Sequence, residues 1–541
     1  MTTALMQYFL RIPPFPGSRV TSLASPGCAD VDLPKLADVL RQEQVGGTFW
    51  GVRPKLAIHH KLVLVPDNTN QLHEMLSFLD GQSCTIVEKP GLSIPQGHRT
   101  TPACPDPWHL AQHANAIWAD ANQDIALVCA LLDKHVRIFG SGHFERCGHE
   151  PLSALASAVA QWSYISPFDG SDWSPFQAIE QLAEWRKLID ANRSIGAIYG
   201  VAGWKRVTLD ALLWDGANTP PYSRRVPCRG DGAVQVAAWK SRTTPALLKD
   251  LVAQGFQICE VEDGFIRSQG LGANCVPPLS IIIDSRGVYF DPETPSDLET
   301  ILETQEINST LCERASALCA KLIEASISKY SSGSGAIDLP PSDKRRVLVI
   351  GQVEDDRSMI SGGRGISNLE LLSRARAIEN DAWIVYKPHP DVEAGHRKGN
   401  IPDEQILSYA NHIERTGPVA ALINAVDCLH VITSLAGFEA LIRGKSVITH
   451  GMPFYAGWGL TKDLCAMSPR RTRTRSLNEL VAATLLLYPR YIDPVTRLPC
   501  PAEVVIERMA KGEATVTSYL VLLREWQGKL QAVLSTMFGG R

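Results

Sequence analysis

A stretch that occurs twice constrains this chain more than any other feature. Residues 434–451, SLAGFEALIRGKSVITHG, lie without a gap on residues 123–140, QDIALVCALLDKHVRIFG, and both read as a helix, a turn and a strand. Lys445 and Lys134, Val447 and Val136, and Gly451 and Gly140 coincide in that alignment. A second pair of blocks follows the same order, with Lys387-Pro388 on Lys89-Pro90 and Gly395-His396-Arg397 on Gly97-His98-Arg99. RRVLVIGQ precedes one block and HHKLVLVPD the other, both β-branched apolar runs closed by turn residues, as in buried parallel strands. Two blocks in one order point to divergent duplication of a Rossmann-like half.

The polar residues differ between the copies. His389-Pro390 and Thr433-Ser434 of the second copy face Gly91-Leu92 and Asn122-Gln123 in the first, which therefore lacks groups suited to an anion. At 541 residues the chain exceeds what one core supports. The expected organisation is a degenerate, inactive copy of a nucleotide-binding half at 1–190, a Rossmann-like domain at 191–335 and a nucleotide-binding Rossmann-like domain at 336–500. C-terminal helices follow at 501–541. A fresh strand-turn-helix begins at AIYGVAGWKRVTLDALL, and SSGSGAIDLPPSDKRR reads as a linker. The fold class is α/β, a pair of Rossmann-type domains facing a cleft behind the degenerate copy.

Composition excludes some partners. A net charge of −4 with scattered basic residues gives no footprint for nucleic acid. Thirteen cysteines without a CxxC pair fit a reduced compartment. The N-terminal stretch has no basic start and is broken by prolines, and no apolar run reaches membrane-spanning length, so a cytoplasmic location is expected.

Several motifs fall at strand ends, where open α/β sheets bind ligands. Glu262-Asp263-Gly264 follows the apolar run 256–261 and offers either a catalytic carboxylate pair or a solvated acidic turn; Arg267, Ser268 and the glycine-rich QGLGAN come next. Lys387-Pro388-His389-Pro390 closes AWIVYK with a cation and an imidazole, suited to the phosphate of a leaving nucleotide. Thr433-Ser434 leads into a helix carrying Glu439, which reads equally as a phosphate grip with a ribose-binding acid or as an ordinary N-cap. Tyr455 and Trp458 lie in FYAGWG, which can pack a base or sugar or be structural. Lys205-Arg206, after GVAGW, can meet an anion.

No metal is expected. Glu354, Asp355 and Asp356 close the strand VLVI without a DxD pattern, and Asp30-Val31-Asp32 has no strand before it. His109 and His113 have zinc-ligand spacing, but no third ligand is evident.

Six segments in order, VEDGFIRSQGLG, PPLSIIIDSRGVYFDPETPSDLE, GQVEDD, YKPHPDVEAGHRKG, TSLAGFEALIRG and GMPFYAGWGLT, make residues 195–510 resemble the retaining KpsC/LipA-type capsule β-Kdo transferases. The resemblance implies a GT-B fold, CMP-Kdo as donor, no required metal or cofactor, and transfer to a lipid-linked oligo-Kdo acceptor. The setting it implies is the cytoplasmic face of the inner membrane, with peripheral association and capsule assembly or export proteins as partners. It places Asp263, or else Glu262, at the anomeric carbon. Lys387, His389, Pro390, Thr433 and Ser434 would take the donor phosphate and Glu439 the ribose, with Arg267, Ser268, Gln352, Tyr455 and Trp458 on sugar or acceptor. The chain departs from the family's two tandem modules, since no EDG-bearing half accompanies the first copy, and GQVEDD continues as RSM where small residues are usual. The alternatives are an inverting transferase for another CMP-activated acidic sugar, with the carboxylate as general base, and a non-catalytic assembly or export scaffold.

Overall fold

The short β-branched runs form four sheets among the described residues of the computed structural model, which are 8–226, 234–267, 276–327, 337 and 339–514. The chain divides into two compact units. The first comprises Met1–Ser194, Asp210–Pro220 and Thr496–Leu498, and the second the remainder.

In the first unit, β1 (Ala24–Pro26) is followed by β2 (Leu62–Val65), β3 (Cys84–Val87), β4 (Arg99–Thr101), β5 (Ala116–Asp120) and β6 (His135–Phe139). The last five make a parallel sheet of order β4-β3-β2-β5-β6. Helix α1 (Asp124–Leu131), buried at seven successive positions, feeds β6. Helix α2 (Pro151–Leu155) runs into a π-helical turn, Ala156–Ala160, and then into the hairpin of β7 (Trp162–Ile165) and β8 (Asp172–Trp173). A capping box at Ser174 and Gln177 starts α3 (Pro175–Asn192).

The second unit holds two six-stranded sheets. Strands β9 (Ile195–Tyr199), β10 (Gln235–Ala238) and β11 (Gln257–Asp263) are parallel, and β12 (Ser280–Asp284) pairs antiparallel with β11. Next come β13 (Arg346–Ile350), β14 (Trp383–Lys387), β15 (His412–Ile413), β16 (Cys428–Val431), β17 (Ser446–Thr449) and β18 (Lys462–Asp463), a parallel sheet of order β15-β14-β13-β16-β17-β18. Val347, Val349, Ile384 and Tyr386 bury one of its faces against Leu371, Leu372 and Ala375, since both faces of a parallel sheet need cover. The chain then returns to the first sheet with β19 (Arg490–Ile492) and β20 (Pro499–Cys500), giving the order β20-β19-β12-β11-β10-β9. The span 336–500 therefore supplies strands to both sheets, because three residues of β19 suffice to pair with β12. Residues 331–336 and 338 of the linker stretch and residues 515–541 lie outside the described residues.

The order β15-β14-β13-β16-β17 is that of β4-β3-β2-β5-β6. The likeness continues beyond the two sequence blocks. A helix running into a π-helical turn, Ala482–Leu487, again precedes a hairpin, in which Tyr491 faces Cys500 and Ile492 faces Pro499. In the first unit Tyr164 faces Trp173 and Ile165 faces Asp172. Both tyrosine hydroxyls donate to a carbonyl of the preceding π-helical turn or its edge, Tyr164 to Val159 at 3.0 Å and Tyr491 to Leu485 at 2.9 Å. Among the described residues no helix is long and apolar enough to cross a membrane.

Candidate active site at the strand ends of the second unit

Glu262 and Asp263 end β11, and the turn after them is possible because residue 264 is glycine: a Cβ there would fall 2.2 Å from Ser280 Oγ. Asp263 sits between two cations. Lys205 Nζ lies 3.0 Å from Oδ1 and Arg267 Nε 2.7 Å from Oδ2. Burial alone would raise the Asp263 pKa, but Lys205 and Arg267 outweigh it and bring the carboxyl below its ordinary value. Burial pushes Lys205 down to about 8 against the pull of Asp263, and its ammonium rests 3.3 Å from the centroid of the Trp239 ring. The anion met by the GVAGW loop is thus Asp263 itself. Arg267 is only 1 % exposed and donates to Asp263 and to Val276 O at 3.1 Å, so it braces the carboxylate rather than standing toward a sugar acid. Ser268 lies outside the described residues.

Glu262 has a different environment. Arg357, the first residue of α4 (Arg357–Gly362), reaches from the other sheet and bridges Glu262 at 3.0 Å and the buried Glu260 at 2.6 Å. Burial raises the Glu262 pKa to about 7 although Arg357 opposes it, with Asp263 and Glu260 adding repulsion. One carboxylate is held ionised and its neighbour is poised near neutrality, the separation of roles that paired acids use in glycosyl transfer.

The end of β13 is built around Gln352. Its amide grips Thr433 twice, accepting from Thr433 N at 2.9 Å and donating to Oγ1 at 3.0 Å. Asn368, first residue of α5 (Asn368–Ile378), accepts from Gln352 N and donates to Gln352 O and Gly399 O. Gln352 is therefore a buried brace between the ends of β13 and β16, not a contact for sugar. Asn368 escaped the sequence reading; its only signal is a Ser-Asn-x-Glu helix start.

At the end of β14 the Lys387 ammonium is turned inward onto Arg415 O at 2.6 Å, and burial lowers its pKa. His389 caps the short helix α6 (Pro390–Glu393) and is 39 % exposed. Asp391 N donates to its Nδ1 at 3.2 Å, so Nδ1 carries no proton and a neutral ring presents Nε2–H outward. Burial lowers the His389 pKa, which favours that neutral form, with Asp391 and Asp356 pulling the other way. Of the two basic side chains expected on a phosphate, the half-exposed imidazole keeps its Nε2 donor, whereas the buried Lys387 ammonium commits one of its three donors to Arg415 O.

Thr433 and Ser434 precede α7 (Ala436–Ile442); Ser434 Oγ accepts from Ala436 N at 3.2 Å, and Glu439 lies half-buried in the first turn. Tyr455 and Trp458 are fully buried. Tyr455 donates to Ser434 O past Gly437, where a Cβ would sit 2.2 Å from the hydroxyl, and Trp458 Nε1 donates to Phe454 O. Both support the site from beneath, because an aromatic next to glycines can pack inward against bare backbone. Phe265 of the EDG turn lies 5.0 Å from Phe454, 4.6 Å from Tyr289 and 6.4 Å from Phe438 between ring centroids. This cluster and the Arg357 bridge draw the EDG, GQVEDD, TSLAGF and GMPFYAGW segments together.

The acids after β13 have separate partners: Glu354 accepts from Asn368 N, Asp355 pairs with Arg397 at 3.1 Å, and Asp356 caps α4. Asp32 caps a helix, and His109 and His113 meet edge to face with ring centroids 4.8 Å apart.

Residues 235–332 and 309–491 match the family described as capsule polysaccharide biosynthesis protein. The capsule polysaccharide modification protein LipA of Neisseria meningitidis serogroup A is 39 % identical over 364 residues, 65 % of this chain and 51 % of that protein. The lipopolysaccharide-processing protein LpsZ of Rhizobium meliloti is 44 % identical over 245 residues, 44 % of this chain and 56 % of that one. The chain thus spans about half the length of the curated relatives it matches. The solved structure titled Thermosulfurimonas dismutans KpsC, beta Kdo 2,4 transferase, is 30 % identical, covers 58 % of this chain and 98 % of its own, and superposes with a TM-score of 0.50. The chain belongs to the KpsC/LipA-type family of capsule polysaccharide biosynthesis proteins.

Proposed function

We propose that this chain is a glycosyltransferase that moves Kdo from CMP-Kdo to a lipid-linked saccharide acceptor in capsular polysaccharide biosynthesis, with retention at the anomeric carbon. The observation that carries the reading is the Asp263 carboxylate, kept ionised by Lys205 and Arg267 at a strand end and set beside a Glu262 poised near pH 7. Asp263 attacks the anomeric carbon as the bond to the CMP phosphate breaks, and the bonding pair leaves with the phosphate. Nε2–H of His389 hydrogen-bonds the departing phosphate, with Thr433 and Ser434 completing its seat. Glu262 then takes the proton of the acceptor hydroxyl as that oxygen displaces Asp263, and two inversions give retention. Glu439 is assigned to the cytidine ribose.

The scheme invokes no metal, a reading supported by Glu354, Asp355 and Asp356 each having its own protein partner. An inverting reading is favoured by one fact only, the basicity of Glu262, which would serve as general base in a single displacement. Incubation with CMP-Kdo and a synthetic Kdo-terminated lipid acceptor, with NMR of the product, decides between them. A β-linked product supports retention, an inverted anomer supports the single displacement, and no Kdo transfer to any such acceptor overturns the assignment.

A further inference from the structure

The sheet of β13–β18 carries another polar cluster at the ends of its strands opposite the motifs. Cys428 opens β16 and His430 lies two residues on, so both side chains leave the same face of the strand. Glu379 caps the C-terminal end of α5. One ligand atom from each, a sulfur, an imidazole nitrogen and a carboxylate oxygen, lie within 4.8 Å of one another. Cys428 and His430 have no solvent exposure, and the Glu379 side chain keeps 13 %.

Buried polar atoms in proteins are nearly always hydrogen-bonded, and one here is not. His430 Nδ1 shares a proton with His450 Nε2 at 3.0 Å, while His430 Nε2, 3.7 Å from Glu379 Oε1, has no hydrogen-bond partner. The same holds for the far nitrogen of His450, Nδ1. When His430 Nδ1 is the donor in the pair, Nε2 presents a lone pair to the thiol and carboxylate. That is how metal-bound imidazoles are oriented, with the second nitrogen donating to a fixed acceptor.

From these residues we infer that Glu379, Cys428 and His430 form a binding site for a borderline-soft divalent cation, with zinc the best fit. Thiolate, imidazole and carboxylate are the ligand types zinc takes, and with solvent they complete a tetrahedron. Bonds of ordinary zinc length place ligands about 3.3–3.8 Å apart, so closure needs a contraction of about 1 Å. Binding releases the Cys428 thiol proton to solvent, and two negative ligands then balance the dication. Arg345 is the competing charge: its guanidinium lies 3.7 Å from Glu379 and against the Cys428 sulfur. Its side chain is 51 % exposed, which lets it balance the carboxylate before binding and turn to solvent afterwards. Lys462, Arg374 and Glu370 are the other charges that act on the two histidines. The ion would tie α5 to β16 and takes no part in the transfer chemistry.

The test uses the full-length chain, produced with supplemented zinc and desalted against a weak chelator. Elemental analysis is expected to find one zinc per chain. Cobalt loading is expected to give thiolate-to-cobalt charge-transfer absorption, and added zinc to raise the melting temperature of metal-depleted protein. Cys428→Ser should lose the absorption and the melting shift. Should that variant fail to fold, His450→Gln keeps all three ligands and should bind zinc about 10–100-fold more weakly. Folded wild-type chain that takes up no zinc, gives no cobalt–thiolate band and shows no melting shift would overturn the site. So would zinc retained at full affinity by both variants.

Discussion

The parallel sheet of the first unit and the sheet of β13–β18 share a strand order, yet the ends of their strands carry opposite chemistry. In the first unit, Asp67 after β2 pairs with Lys89 at 2.6 Å, and Asp120 ending β5 accepts from Gln71 and Asn122. Carboxylates with internal partners occupy the row where a phosphate would have to sit. In the second unit the corresponding row holds Gln352, His389 and Thr433, neutral groups of which the imidazole keeps an outward donor. The apolar frame tolerates both rows because it depends on strand pattern and helix cover. A few polar positions at the carboxyl ends decide whether such a frame can host chemistry.

The largest effect that sharpens this contrast is expected from Asp263→Ala, which should lower transfer by about a thousandfold or more by removing the group that acts on the anomeric carbon. His389→Ala should cost about a hundredfold in turnover, with circular dichroism unchanged because the ring is at the surface. Arg357→Ala should raise the Glu262 pKa further by removing the cation that opposes burial, so the acid limb of the pH–rate profile should move to higher pH. Its stability sign is definite. Glu262 is raised to about 7 in the fold, so between its unfolded value and about pH 7 the folded chain binds the extra proton. This residue therefore makes the fold more stable as pH falls through that window. Asp263, lowered in the fold, adds stability above its unfolded value that is lost as pH falls through the folded one. Least affected should be Lys89→Ala and His98→Ala, which should change transfer by less than about twofold, since exposed pairs contribute little. A large loss in either would give the first unit a part in the reaction.

Motif placement was legible in the sequence because apolar runs closed by turn residues mark strand ends. The direction of individual side chains was not. Lys387 was expected on the donor phosphate and Arg267 on sugar or acceptor, but the sequence shows residue type and not burial, and both ammonium and guanidinium turn onto protein partners. Tyr455 and Trp458 were open between ligand and core, and packing against Gly437 and backbone carbonyls places them in the core. Arg357 was visible only as a departure from a pattern of small residues; its bridge to Glu260 and Glu262 joins residues nearly a hundred positions apart. The repeat was seen in two blocks, while the π-helical turns and the Tyr-Ile hairpins are too short to stand out before their geometry is known.

The central claim is that Asp263 carries the sugar between donor and acceptor. Rapid mixing of the chain with CMP-Kdo and no acceptor, followed by intact-mass measurement and peptide mapping, tests it directly. The account predicts one Kdo adduct, located on the peptide containing Asp263 and discharged when acceptor is added. An adduct on any other peptide, or undiminished transfer by a folded Asp263→Ala chain, would contradict it.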